Sequence, residues 1–161
     1  MRTLPILLLL LTALVAISPS QAEETLSESV TAKAQPLLKA LSMIGTPYKF
    51  GGNNPKKGVD CSSFVKHVYK ESADISLPRS ARDMSREGQA VAKNELEPGD
   101  LVFFNTRKRP NSHVGIYAGN GEFVHASSSH TKQVTVSRLD QKYWATRFNG
   151  ARRVLPTLSA Q

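Results

Sequence analysis

A chain of 161 residues, 40% hydrophobic and 21% charged, is long enough for one domain around a single core, and the absence of internal repeats excludes a repeat array. The formal net charge of +8 suits an anionic partner. Nucleic acid is disfavoured as that anion, because no interleaved aromatic and basic pattern accompanies the charge, and most of the Lys and Arg read as solvated surface.

Arg2 leads into an apolar run from Leu4 to Ile17, and Ser20 and Ala22 follow at the minus-three and minus-one positions of a cleavage site. Residues 1–22 therefore read as a secretory signal peptide removed before Glu23. The run is shorter than the ~20 apolar residues a membrane span needs. No later segment is apolar enough to span, and no Cys follows the run to take a lipid. The mature chain is thus expected to be exported and free of a membrane anchor, in the periplasm or secreted, and to act as a monomer. Arg2 leaves with the signal, so 20 basic residues then face 13 acidic ones, a balance of +7.

Residues 23–34 are expected to form a flexible mature terminus, residues 35–156 the folded domain and 157–161 a short tail. A helix is predicted from Val30 to Met43, with Leu37, Leu38, Leu41 and Ile44 at helical spacing. Pro36 either moves its start to Gln35 or kinks it there, and Gly45 stops it. From Gly45 to Gly58, Gly, Pro and Asn are too dense for regular structure. Asp60 is a good N-cap for a second helix from Cys61 to about Ser72, whose apolar stripe is Phe64, Val65, Val68 and Tyr69. Cys61 falls on that stripe. A loop through Leu77, Pro78 and Arg79 leads to a short helix from about Ser80 to Glu87, and Pro98-Gly99 marks a turn. Strands are predicted at Leu101 to Phe104, His113 to Ala118, Glu122 to Ala126, Val134 to Ser137 and Ala151 to Leu155. Helices first and strands second argue for an α+β domain with an antiparallel sheet.

Cys61 is the chain's one cysteine, so it has no intramolecular disulfide partner. By that fact alone it is either an inert core residue or a nucleophile. Its place in the first turn of a helix favours the second, since free backbone N–H groups and the helix dipole stabilise negative charge and are expected to lower the thiol pKa. A thiol that attacks a carbonyl also needs an imidazole, which must come from another element.

His113 and His125 lie on consecutive predicted strands joined by Gly119-Asn120-Gly121. If Gly115 pairs with His125, then His113, Gly115, Tyr117, Phe123 and His125 share one face, and Gly115 leaves room between the imidazoles. A plain two-residue Asn-Gly turn would shift the pairing by one and turn His125 away. The pair therefore requires an odd-length loop or a bulge. The alternative is that both are ordinary half-buried strand residues. A zinc pair is disfavoured, since no His-Glu-x-x-His motif or acidic third ligand stands at suitable spacing. His67 and His130 read as surface residues.

These segments resemble the NlpC-type cell-wall peptidases, a papain-like family, through Gly45-Thr-Pro-Tyr48, Gly51-Gly52, Asp60-Cys61-Ser62, Leu77-Pro78-Arg79-Ser80, the run from Pro98 to Phe104, His113-Val-Gly-Ile-Tyr117 and Phe123-Val-His125-Ala-Ser127. The resemblance runs from about Leu38 to Leu155. The stretch from Tyr143-Trp144 to Val154 is similar in particular to the single-domain murein endopeptidases of the Gram-negative periplasm. The resemblance implies a papain-like fold, with N-terminal helices packed on a central antiparallel sheet and the nucleophile at a helix N-terminus. By position it implies Cys61 as nucleophile, His113 as base and His125 as the orienting third residue. It further implies Tyr48 as an oxyanion partner, Asp60, Ser62 and Arg79 as contacts of a peptidoglycan stem peptide, and no metal or cofactor.

The expected reaction is hydrolysis of a stem-peptide or cross-link bond, either γ-D-Glu to diaminopimelate or D-Ala to diaminopimelate. A papain-like amidase or acyltransferase, a non-catalytic wall-binding protein and a DNA-binding domain are the rival readings. The chain departs from the family's usual Gly at Ser63, hydroxyl residue at Ala81 and Gln at Met84, the last two beside Arg79 where they bear on substrate choice.

Overall fold

The computed structural model describes residues 31, 34–129 and 131–155. The expected signal peptide and tail lie outside them. Thr31 is helical, and the first helix, α1, runs over residues 34–42. Its buried side carries Pro36, Ala40 and, just past its end, Met43, with Leu37 packed partly against the core. Leu38, Leu41 and Ile44 are 56%, 40% and 48% exposed, which overturns the stripe expected for them. Apolar residues surround this helix, so periodicity offered two stripes, and the side bearing small Ala40 is the one that packs.

The segment between α1 and the second helix is less irregular than its composition suggests. Two short strands, β1 (Asn53–Asn54) and β2 (Gly58–Val59), pair antiparallel within it. Helix α2 follows at Cys61–Ala73, with Phe64, Val65, Val68 and Tyr69 buried as predicted. It ends at Asp74 in the left-handed conformation. Helix α3, Ala81–Met84, is shorter than expected and is capped by Ser80, whose hydroxyl accepts the Asp83 N–H.

The sheet is six-stranded and antiparallel. It holds β3 (Gln89–Val91), β4 (Leu101–Phe104), β5 (His113–Gly119), β6 (Glu122–Ala126), β7 (Val134–Arg138) and β8 (Phe148–Arg153), in spatial order β3-β8-β4-β5-β6-β7. β3 was not foreseen, and the last strand starts three residues and ends two residues earlier than predicted. A one-turn helix, α4 (Lys142–Ala145), also unforeseen, precedes β8.

Side-chain alternation gives the sheet two buried faces. On one, Leu101, Phe103, Val114, Ile116, Val124 and Ala126 pack with α2 into the main core. On the other, Val102, Phe104 and Phe123 form a smaller cluster with Leu139, Ala151, Trp144 and Phe148. No helix among the described residues is long and apolar enough to cross a membrane.

Candidate active site

Asp60 fixes where α2 begins. Its backbone is extended, its carboxylate accepts the Ser63 N–H at 2.8 Å, and the Ser63 hydroxyl accepts the Asp60 N–H at 3.0 Å, closing a capping box. The same hydroxyl donates to the Gly52 carbonyl at 2.6 Å, so Ser63 also ties α2 to the preceding loop. Cys61 thereby becomes the first residue of the helix, a half-buried free thiol packed partly against the main core.

The electrostatics of that thiol differ from expectation. Burial pushes its pKa up, and the Asp60 charge adds to this; hydrogen bonds from the Val114 and Ser62 backbones and the charge of Arg107 pull it down without reversing the rise. The helix N-terminus does favour the anion, but removal of the sulfur from water is the larger effect. Cys61 rests as a thiol.

The two histidines meet as the strand parity required. Tyr117 pairs with Phe123 and Ile116 with Val124, the register that sets Gly115 opposite His125, and the pairing then slips by one so that Gly119 faces Glu122. That slip is the bulge the pair needed. Asn120 and Gly121 both have positive φ, 52° and 77°, as a tight hairpin turn demands, and Gly119 absorbs the extra residue at φ 94°. His113 Nε2 lies 2.9 Å from His125 Nδ1, and His125 Nε2 lies 3.0 Å from Ser137 Oγ.

Trp144 stacks on the His113 ring at 5.4 Å between centroids and meets the His125 ring edge-on at 4.9 Å. In this apolar setting burial, aided by the Arg107 charge, holds the His113 pKa down to about 4. Burial, then the neighbouring His113, holds His125 well below its ordinary value. Both imidazoles are neutral bases at neutral pH.

The imidazoles sit on the sheet face opposite α2, and His113, which opens β5, stands at the end of the strand that borders the Cys61 cleft. His113 and Cys61 line one cleft of about 580 Å³, and the Val114 backbone bonds the sulfur. Tyr48 lines the same cleft. Burial and the adjacent Cys61 raise its pKa, while a hydrogen bond from Arg107 acts the other way.

Asp60, Ser62 and Arg79 form a closed network. Arg79 donates to both carboxylate oxygens of Asp60 at 3.0 and 2.7 Å and to the Ser62 hydroxyl at 2.9 Å, and that hydroxyl donates to Asp60 at 3.1 Å. Burial pushes the Asp60 carboxyl up, but the Arg79, Ser63 and Ser62 hydrogen bonds outweigh it and hold the group below its ordinary value.

All seven residues singled out in the sequence line this cleft or, for His125, stand directly behind it. Ala81 lines it too, whereas Met84 is fully buried in the main core and does not line the cleft. His67 stands on α2 away from the cleft, and His130 lies outside the described residues. Among the described residues no group of three or more His, Cys, Asp or Glu is arranged to hold a metal ion.

Sequence reasoning missed Ser137, Trp144 and Arg107. Strand parity applied one strand further would have found Ser137, which pairs with Phe123 on the His125 face. Trp144 belonged to the stretch that carries the family resemblance, but nothing in its spacing told that it covers the histidines. Arg107 belongs to a basic loop that also supplies Arg109, and with Arg79 and Arg82 these put four arginines against one aspartate around the cleft.

The sequence model of the NlpC/P60 family matches residues 45–153. The chain is 43% identical over 128 residues to the gamma-DL-glutamyl hydrolase of Bacillus subtilis, covering 79% of this chain and 30% of that protein. It is 40% identical over 132 residues to the murein DD-endopeptidase MepS/murein LD-carboxypeptidase of Escherichia coli K12, covering 82% and 68%. The crystal structure of an NlpC/P60 family protein from Bacillus cereus superposes with a TM-score of 0.71 at 32% identity, covering 77% of this chain and 40% of that one. Against three of the curated relatives it matches, the chain spans 30%, 57% and 52% of their length. With that match over the whole of the sheet and α2, this chain belongs to the NlpC/P60 family.

Proposed function

We propose that the chain is a cysteine peptidase that hydrolyses a peptide bond in the stem or cross-link peptides of peptidoglycan. One observation carries the reading: a lone thiol at the first residue of a buried helix opens into the same cleft as an imidazole held by a second imidazole. In this reading His113 takes the Cys61 proton as the sulfur attacks the carbonyl carbon. The carbonyl electron pair moves onto oxygen, where the first-turn N–H of Cys61 and the Tyr48 hydroxyl are the available donors. Collapse breaks the C–N bond, and His113 passes its proton to the leaving amine. A water then attacks the thioester, giving its proton to His113; the acid departs and the thiol is restored.

The cationic cleft suits the carboxylates of a stem peptide. The relative from Escherichia coli, named for murein endopeptidase and carboxypeptidase activity, supports the same substrate class. The pattern of residues 1–22 supports action outside the cytoplasm, in the periplasm. The network of Asp60, Ser62 and Arg79 is the proposed binding edge for the stem peptide, with Arg79 its most exposed member.

Digestion of purified sacculi by the wild type and by Cys61→Ala, read by mass spectrometry of the released muropeptides, tests this. The wild type is expected to yield products one hydrolysis apart from the substrate, their masses identifying the bond, and the variant none. Wild-type protein that binds sacculi without turnover would replace this reading with a wall-binding one.

A further inference from the structure

His125 has two ring nitrogens and two polar partners. Nδ1 meets His113 Nε2 at 2.9 Å and Nε2 meets Ser137 Oγ at 3.0 Å. A neutral imidazole carries one proton, so it donates from one nitrogen and accepts at the other. Two linked neutral imidazoles must therefore point their hydrogen bonds the same way, and the direction is a property of the whole chain.

If the bonds run outward, His113 donates from Nε2 to His125, and His125 donates from Nε2 to Ser137. His113 Nδ1, the nitrogen not engaged by His125, is then a bare lone pair. If they run inward, Ser137 donates to His125, His125 donates from Nδ1 to His113, and His113 carries its proton on Nδ1, where it cannot receive another from the thiol.

The environment of each end decides between these. Cys61 already receives hydrogen bonds from the Val114 and Ser62 backbones, so its S–H needs an acceptor and a third donor has nothing to offer it. At the other end, Ser137 is half-buried on β7, with room for its own proton to face solvent when its oxygen accepts from His125. Phe123 and Trp144 cover the remaining surfaces of the His125 ring, each at 4.9 Å between centroids, so Ser137 is the polar group at Nε2.

We propose that Ser137 is a positioning residue that, by accepting the His125 Nε2 proton, holds the two-imidazole chain in the direction that leaves His113 Nδ1 free to deprotonate Cys61. The catalytic consequence rests on the base role proposed for His113, and the hydrogen-bond direction is read without turnover.

The test compares wild type, Ser137→Ala and Ser137→Thr. Imidazole 1H–15N correlation spectra of protein labelled at histidine nitrogen read the tautomers without substrate. Wild type is expected to show both His113 and His125 protonated on Nε2, Ser137→Ala a mixture of tautomers at His125, and Ser137→Thr, which keeps the hydroxyl, the wild-type pattern. On muropeptides, kcat is expected to fall roughly tenfold in Ser137→Ala, with KM unchanged and the Thr variant restored, a fraction of what a general base supplies. Protonation of His113 on Nδ1 in the wild type, or a Ser137→Ala protein with unaltered tautomers and kcat, would overturn the proposal. Because the spectra need no turnover, they judge Ser137 even if the chain cleaves some other bond.

Discussion

At Cys61 two effects of opposite sign act on one sulfur. A helix N-terminus is worth about 0.3–1 kcal/mol to an anion near the surface. Full burial moves a pKa by up to several units in the other direction. Burial wins here, and the thiol pKa is raised. His113 in the same cleft is held neutral, so in the proposed mechanism the proton stays on sulfur until substrate arrives. Alkylation of Cys61 by iodoacetamide is therefore expected to accelerate with pH through a single midpoint above the ordinary thiol value of 9.0. A rate already at its plateau from about pH 5 to 8 would mean a resting thiolate and would reverse the assignment. Position in the sequence told which residue is the nucleophile candidate, through its solitude and its cap. It did not tell the sign of the pKa shift, because that depends on what covers the sulfur, and the covering segments come from distant parts of the chain.

The β5–β6 hairpin is the element that joins the histidines, and Gly115 is its tightest point. A Cβ built there would stand 2.7 Å from Phe123 Cδ2, 3.0 Å from the Val124 carbonyl oxygen and 3.2 Å from His125 Cβ. None of these is the far end of a flexible chain, so Gly115→Ala must push β6 outward. The expected cost is about 1–3 kcal/mol of stability, measurable by urea denaturation, together with a fall in kcat as the 2.9 Å contact between the imidazoles opens. Unchanged stability and turnover would show that the hairpin yields freely. This hairpin was legible in advance because strand parity is strict: once both histidines must share a face, the connection needs an odd-length loop or a bulge, and the slip between Tyr117 and Gly119 is that bulge. Helix α1 was not legible in the same way. Leu38, Leu41 and Ile44 are as apolar as the residues that pack, and only the three-dimensional partner decides which side is inside. β3 and α4 are too short for a period to show, and pairing with β8 and packing over the histidines, rather than intrinsic propensity, account for them.

Across the whole molecule the buried imidazoles link the site to the stability of the fold. His113 falls from 6.5 in the unfolded chain to about 4 in the folded one, and His125 is lowered as well. Between those limits the unfolded chain binds protons that the folded chain refuses, so stability rises with pH across the window and is lost as pH falls. His113 alone contributes about 3 kcal/mol to this loss, at roughly 1.4 kcal/mol per pKa unit. The Asp60 carboxyl, held low in the fold, acts with the same sign but below its ordinary 3.8, so the interval from pH 6.5 down to about 4 isolates the histidines from it. Urea midpoints measured across that interval are expected to decline steadily for the wild type. His113→Gln should show a shallower decline whatever its stability at neutral pH, because the comparison is between slopes and not between absolute values. Equal slopes for the two proteins would mean that His113 takes up its proton within the fold, that the apolar cover of Trp144 and Phe104 admits water, and that the base of the site is charged where the proposed proton transfer needs it neutral.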